Sequence, residues 1–131
     1  MEIYLQFDSL NNEVNQTLRG ADLNRIRQQA LAHLNQAGIS TTLVVTVAKG
    51  VNDHEVGDII RFAAQQPCVR GVTLQPVQYA GRTQSVQASH RLTVSEIRRR
   101  IVEQSGIFSE ADMMPVPCNP DTLAMGYAFK D

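Results

Sequence analysis

The stretch Thr41-Thr42-Leu43-Val44-Val45-Thr46-Val47 decides the fold. It is β-branched and nearly continuous in apolar character, which is typical of a strand that is covered on both faces and lies in a parallel sheet. A polar loop at residues 49–52 follows, and then an apolar pattern at helical spacing that stops at Pro67. The order strand, loop, helix is that of one repeating unit of an α/β fold.

The same unit appears on both sides of this stretch. A strand is predicted over residues 2–7, where Ile3, Leu5 and Phe7 alternate with polar residues, and another over residues 69–77. Alternating strands and helices with short connections predict parallel strands joined by right-handed crossovers. Periodicity alone does not distinguish an open sheet from part of a TIM-type barrel.

The helices carry their own start and stop signals. Asp22 is the predicted N-cap of a helix that ends at Gly38 and packs through residues at three- and four-residue steps, which are Leu23, Ile26, Ala30, Leu34 and Ala37. Thr93 and Glu96 form a predicted capping box for a helix that ends at Gly106. The tail, residues 107–131, is rich in proline, and residues 127–129 are predicted to form a last short strand.

Composition excludes several classes of function. The chain has 131 residues and a formal net charge of −1, so it has no bulk attraction for nucleic acid or for an anionic membrane. It has no apolar run of the roughly 20 residues that would span a bilayer and no secretory leader at its start, which predicts a cytoplasmic protein. Cys68 and Cys118 are too few for a disulfide framework or for a metal site built from cysteine alone. We therefore expect one domain and reduced thiols.

Ligands of parallel α/β folds bind at the carboxyl ends of the strands, because several loops and helix N-termini converge there. The polar residues at these predicted ends could hydrogen-bond a ribose, an amine or a carboxylate. They are Gln6, Asp8, Thr46, Lys49, Asn52, Gln75 and Gln78.

Several of these residues have a purely structural alternative. Asp8 is equally explained as a turn former, and Asn52 with Asp53 as a helix cap. Gln6 and Gln75 are long amides in predicted strands and need partners if they are buried. The pair Lys49-Gly50 lacks the glycine spacing of a phosphate-binding loop, and the three scattered histidines have no ligand partners at useful spacing.

Four segments resemble radical S-adenosylmethionine enzymes. TVAKGVNDHEVGDIIRFA, residues 46–63, resembles the fifth strand and following helix of that superfamily, and FDSLNNEVNQTLRG, residues 7–20, resembles its fourth-strand region, the molybdenum-cofactor biosynthesis type being nearest. GVTLQPVQYAGR, residues 71–82, and MPVPCNP, residues 114–120, are similar to enzymes related to archaeal tetraether lipid synthase. The resemblance covers nearly the whole chain.

The resemblance implies a fold and a set of contacts. In that superfamily a partial barrel of six strand-helix units holds a [4Fe-4S] cluster on a CxxxCxxC loop, and the cluster converts S-adenosylmethionine into a 5′-deoxyadenosyl radical. Residues 1–106 would then be the carboxyl-terminal half of the barrel, strands four to six, with residues 107–131 as an extension. The resemblance places S-adenosylmethionine contacts at Gln6, Asp8, Thr46, Lys49 and Asn52. It places Gln75 near the substrate.

The cluster ligands are missing from this chain. Two cysteines fifty positions apart cannot supply a CxxxCxxC loop, and residues 119–129 add no Cys or His beyond Cys118 for an auxiliary cluster. We therefore expect a fragment of a longer enzyme, inactive by itself and without bound cofactor, whose partner is the missing amino-terminal half. The alternative is a non-catalytic half-barrel that docks on another chain or forms a homodimer.

Overall fold

The computed structural model describes residues 1–77, 92–115 and 124–129 of the chain. Its helices are α1 (Asn12–Arg19), α2 (Asn24–Ala37), α3 (Val56–Gln65) and α4 (Val94–Ser105), and its strands are β1 (Glu2–Gln6), β2 (Ser40–Val47), β3 (Val69–Pro76), β4 (Met114–Pro115) and β5 (Ala124–Met125). Single 3₁₀ turns, Asp53–Glu55 and Glu110–Asp112, precede α3 and β4. None of the helices within the described ranges is long and apolar enough to cross a membrane.

The first three strands form one parallel sheet in the order β1-β2-β3. The register places Tyr4 beside Thr42 and Thr42 beside Gly71. The predicted α/β class is confirmed, as are the parallel strands with alternating helices, and this arrangement is consistent with a partial barrel. The predicted bounds of these three strands differ from the observed ones by at most one residue at each end.

One face of this sheet is packed by the helices. Phe7, Leu43 and Leu31 of α2 belong to one buried apolar cluster, and Val45 and Ile97 of α4 belong to a second. Helix α3 contributes to both clusters. Since side chains alternate across a strand, the residues between these positions lie on the opposite face.

The opposite face, here called the open face, is polar. Tyr4 keeps 68% of its surface exposed, Thr73 and Gln75 are exposed, and Val44 is only half-buried. We expected residues 41–47 to be covered on both faces, but among the described residues the buried apolar clusters lie on one face only. The open face consists of Glu2, Tyr4, Gln6, Thr42, Val44, Thr46, Gly71, Thr73 and Gln75.

The most buried side of helix α2 differs from the predicted one. Its buried residues are Arg27 and Leu31, whereas Ile26, predicted to be packed, is 63% exposed. Leu23 is the N-cap, and Asp22 instead accepts a hydrogen bond from the amide of Asn24 at 3.2 Å. The apolar spacing was right for the half-buried Leu34, which packs on the core, but wrong for Ile26, because Arg27 points inward toward the buried Asp8 carboxylate.

The carboxyl-terminal part packs closely on the domain. The predicted capping box of α4 is present, with Thr93 accepting from the amide of Glu96 and Glu96 accepting from the amide of Thr93. Gly57 of α3 lies directly against the backbone of Gln104 in α4, leaving no room for a β-carbon. The last short strand is Ala124–Met125 rather than residues 127–129. Gln78 and Cys118 lie outside the described residues.

Candidate functional site

A buried carboxylate, that of Asp8, lies just beyond the carboxyl end of β1. Its side chain has no exposed surface and forms ion pairs with Arg19 at 2.8 Å and with Arg27 at 3.1 Å. It also accepts hydrogen bonds from the Gln6 amide at 2.6 Å and from the Thr46 backbone N–H at 3.0 Å. Asp8 therefore ties together β1, β2 and both of the helices that connect them.

The charges in this cluster do not cancel. One carboxylate is paired with two guanidinium groups, so the trio of Asp8, Arg19 and Arg27 carries one excess positive charge. The side chain of Arg27 is 7% exposed, whereas that of Arg19 is 38% exposed. The excess charge is therefore accessible through Arg19.

The protonation states within the cluster follow from its geometry. Burial would raise the pKa of the Asp8 carboxyl, but the hydrogen bonds from Arg19, the Thr46 amide and Gln6 outweigh burial and hold that pKa below its usual range. The hydrogen bond to Asp8 raises the pKa of Arg19. Both groups are charged at neutral pH.

Gln6 and Thr46 lie together on the open face, at the carboxyl ends of β1 and β2, which we call its upper end. The Thr46 hydroxyl oxygen accepts from Arg19 at 3.2 Å and lies 3.4 Å from the Gln6 amide nitrogen. Gln75 is beside Thr46 in the strand register, with its side chain exposed. Three of the residues predicted from the sequence to contact a ligand thus lie side by side on three adjacent strands.

Asn52 holds the loops of β1 and β2 together. Its amide nitrogen donates to the carbonyl oxygens of Asp8 at 2.9 Å and Thr46 at 2.7 Å, and its oxygen accepts from the Ala48 N–H at 2.8 Å. The side chain is fully buried, and Asn52 makes no side-chain cap of the 3₁₀ turn that follows. Its observed role is to fix the loop, and its direct contact with a cofactor stays a prediction.

Lys49 lies apart from the Asp8 cluster and pairs with α4. Its ammonium group is 3.0 Å from Glu96. The pKa of Glu96 is lowered to about 2, first by the hydrogen bond from the Thr93 amide and then by Lys49. In this arrangement Lys49 joins the β2 loop to the start of α4.

A second buried carboxylate connects the same two loops. The hydroxyl of Ser9 donates to the Glu55 carboxylate, whose two oxygens lie 2.8 and 2.7 Å from the Ser9 oxygen. Both residues are buried. The Ser9 oxygen in turn accepts from the Asn11 N–H at 2.9 Å. The sequence reasoning did not identify this pair.

Arg19 and Arg27 were also missed as site residues. A signal was available, because an Asp at the end of a buried strand needs a cation nearby if it is to remain ionised. Arg27 is further held by Asn15, whose side-chain oxygen lies 2.8 Å from it. No sequence pattern indicates which of the twelve Lys and Arg residues reach Asp8.

The arrangement suits the binding of a polar, partly anionic ligand. Across the described ranges, no cluster of three or more His, Cys, Asp and Glu side chains is arranged to hold a metal ion. The Asp8 cluster instead offers a fixed cation, a hydroxyl and amide groups at the carboxyl edge of a parallel sheet, where ligands of this architecture bind.

Comparison with known proteins gives an informative relative. No family model matches the chain. A protein of Methanocaldococcus jannaschii named 7,8-dihydro-6-hydroxymethylpterin dimethyltransferase is 39% identical over 119 residues, which cover 88% of this chain. The alignment covers 24% of that protein. The chain is therefore similar, over most of its own length, to about a quarter of a dimethyltransferase.

Proposed function

We propose that this chain is the part of a radical S-adenosylmethionine enzyme that contributes contacts to S-adenosylmethionine and to the substrate. The observation that carries the proposal is the 39% identity to the dimethyltransferase, a protein about four times as long as the matched region. The ordered resemblances at residues 7–20 and 46–63 support it. By analogy with the relative's name, the proposed substrate is a reduced pterin that receives methyl groups.

The residues of the open face suit this role. S-adenosylmethionine carries a ribose with two hydroxyls, an ammonium and a carboxylate. Gln6 and Thr46 present amide and hydroxyl groups at the upper end of the open face, and we propose that they hydrogen-bond the ribose. Arg19, fixed by Asp8 and half-exposed, is the group that would balance the carboxylate. Gln75, on the next strand, is then placed toward the substrate.

The iron-sulfur cluster would be held elsewhere in the longer protein. In enzymes of this kind it supplies the electron that generates the 5′-deoxyadenosyl radical. This chain has two cysteines, of which Cys68 is buried immediately before β3, and these do not fit a three-cysteine loop. The proposed contribution of the chain is to bind, orient and exclude water, with residues 1–106 as half of the barrel and residues 107–131 as an extension. We also propose that the enzyme works in the cytoplasm, where thiols stay reduced.

A chimera tests the proposal. The matched region of the Methanocaldococcus jannaschii protein is replaced by this chain, iron and sulfide are reconstituted, and cleavage of S-adenosylmethionine to 5′-deoxyadenosine is measured. We expect cleavage by the chimera. A chimera that folds and binds iron as the parent does, but neither binds nor cleaves S-adenosylmethionine, would contradict the proposal.

Variants of Arg19 test the assignment of the carboxylate contact. In the chimera, Arg19→Met is expected to weaken S-adenosylmethionine binding by about ten- to a hundredfold, because a charge-assisted hydrogen bond contributes roughly 1.5–3 kcal/mol. Arg19→Lys keeps the charge and should retain part of the affinity. Arg25→Met, on the exposed side of α2, is the matched control and should leave binding unchanged. Equal affinities for all three variants would exclude Arg19 as a ligand-binding group.

A further inference from the structure

The guanidinium of Arg19 is held side-on by the Asp8 carboxylate. Its Nε donates to one oxygen of Asp8 at 2.8 Å, and its Nη2 lies 3.4 Å from the other oxygen and 3.2 Å from the Thr46 hydroxyl. The remaining nitrogen, Nη1, has no hydrogen bond to the part of the chain that the structure describes. Since 38% of the Arg19 side chain is exposed, Nη1 is the donor that is left for a ligand.

The pair of Asp8 and Arg19 would by itself be a poor site for a carboxylate. A guanidinium that is paired with a carboxylate has no net charge, and Asp8 would repel a second carboxylate brought close to it. This repulsion is screened weakly near the interior of a protein. A second cation is therefore needed if Arg19 is to bind the carboxylate of a ligand.

Arg27 supplies the second cation from inside the fold. Its Nη2 lies 3.1 Å from the same Asp8 oxygen that the Nε of Arg19 contacts, and its Nη1 donates to the Asn15 side-chain oxygen at 2.8 Å. Asn15 in turn donates to the side-chain oxygen of Asn24 at 2.8 Å. The guanidinium of Arg27 is thus fixed on two sides, and its side chain, 7% exposed, leaves little surface for a ligand.

We propose that Arg27 determines the specificity of this site for a carboxylate-bearing cofactor by offsetting the charge of Asp8. This inference rests on the proposed function, because it concerns the same Arg19 that would bind the carboxylate of S-adenosylmethionine. Asp8 orients Arg19, and Arg27 compensates the negative charge that this orientation requires. Arg27 is a positioning residue, since it acts through Asp8 and does not touch the ligand.

A second buried carboxylate contributes to the balance of charge. Glu55 is bonded to the hydroxyl of Ser9, the residue that follows Asp8, and Glu55 is 7% exposed. Taken together, the two arginines and the two carboxylates leave no net charge in this part of the loops. Removing the charge of Arg27 would leave it negative, and removing that of Glu55 would leave it positive. The two changes should therefore shift the affinity for a carboxylate in opposite directions.

Two ligands that differ only in the carboxylate test this inference. Equilibrium dialysis of the reconstituted chimera measures the dissociation constants of S-adenosylmethionine and of decarboxylated S-adenosylmethionine, and the ratio of the two constants is the preference for the carboxylate. Arg27→Gln keeps a hydrogen-bonding side chain and removes the charge. It should reduce the preference about fivefold, the order expected for one unit charge that acts across a partly solvated site.

Three further variants complete the test. Glu55→Gln, which can still accept from the Ser9 hydroxyl, should increase the preference by a similar factor. Arg27→Lys keeps the charge and should keep most of the preference. Arg25→Gln, on the exposed side of α2, is the matched control and should leave the preference unchanged.

The outcomes separate this inference from the proposed function. A chimera that folds and binds iron but binds neither ligand would contradict the proposed function, and the inference with it. If the chimera prefers S-adenosylmethionine but the preference is the same in Arg27→Gln and Glu55→Gln, only the role of Arg27 is overturned. A lower preference in both variants would overturn it too, since a structural disturbance does not depend on the sign of the charge removed.

The test stays decisive if Arg27→Gln does not fold, which circular dichroism would reveal. The double variant Arg27→Gln/Glu55→Gln removes one charge of each sign and keeps the balance. It should lose the gain in preference that Glu55→Gln produces. An equal preference in the double variant and in Glu55→Gln would show that Arg27 has no influence on the carboxylate and would overturn the inference.

Discussion

Replacing Asp8 with asparagine tests how far the buried cluster stabilises the fold. The carboxylate has no exposed surface and pairs with Arg27, whose side chain is 7% exposed. The variant preserves the size of the side chain and removes its charge. Arg27 is then buried with Asn15 as its remaining described partner, and Arg19 loses its ion pair.

The expected loss of unfolding free energy is about 3–5 kcal/mol, the range for removing one partner of a buried ion pair. Domains of this size are typically stable by about 5–15 kcal/mol, so the variant should remain folded only marginally. Urea denaturation followed by circular dichroism measures the difference through the midpoint at an unchanged slope. A loss below about 1 kcal/mol would refute the argument that the cluster is a stabilising element.

The double variant Asp8→Asn/Arg27→Met separates the two sources of this loss. If the cost arises from an uncompensated buried guanidinium, removing that guanidinium should recover part of the stability. If the loss is unchanged or larger, the hydrogen bonds of Asp8 to the Gln6 amide and the Thr46 N–H carry the effect. Arg25→Met, on the exposed side of α2, serves as the control for losing an arginine.

The same carboxylate makes stability depend on pH. Its folded-state pKa is lowered below the ordinary value of 3.8, so it binds protons more weakly in the folded state than in the unfolded state. The stability it contributes is complete above that ordinary value and is lost as pH falls through the folded-state pKa. Asp8→Asn should lack this part of the acid destabilisation, and identical pH profiles for both proteins would contradict the assignment.

Two further predictions concern the packing of α4. Gly57→Ala should cost about 1–3 kcal/mol in urea denaturation, because a β-carbon there meets the backbone of Gln104 and separates α3 from α4. Lys49→Met should raise the pKa of Glu96 from its value of about 2, since an ammonium group 3.0 Å away is removed, and carboxyl-carbon NMR titration measures the change.

Each of these predictions has a control. Ala64→Gly, at an exposed position of α3, should cost only about 1 kcal/mol through helix propensity, and a Gly57→Ala variant as stable as the wild type would show that the helices separate without cost. For Glu96, Thr93→Ala removes the capping side chain while the amide remains. If the pKa of Glu96 is unchanged in Lys49→Met, the lowering of that pKa comes from Thr93 and not from Lys49.

The elements of this chain were predictable because their signals are local. The β-branched composition of residues 41–47 predicts a strand. Gly38 ends α2 in a left-handed conformation that glycine adopts without strain. Spacing alone did not predict that Ile26 of α2 is exposed and Arg27 is buried. Ile26 points outward because Arg27 is required beneath it, and that requirement comes from Asp8, nineteen positions earlier.

The same distinction holds for the candidate site. The rule that polar residues at the carboxyl ends of parallel strands lie close together predicted that Gln6, Thr46 and Gln75 are neighbours, and they lie at neighbouring strand ends. It did not distinguish Asn52, which is buried within the loops, from the residues on the open face of the sheet. Ser9 and Glu55 are 46 positions apart, and their pairing depends on how two loops are placed in three dimensions. A single sequence contains no local pattern that predicts such a pairing.

Asn52 makes the two loops at the carboxyl edge of the sheet move together. One amide group bonds simultaneously to the carbonyl of Asp8 and to that of Thr46, and its oxygen bonds to the amide of Ala48. The ends of β1 and β2 are therefore clamped through a single side chain, and neither loop can be displaced without breaking a buried hydrogen bond. A ligand that displaced one of these loops would therefore also shift the other loop.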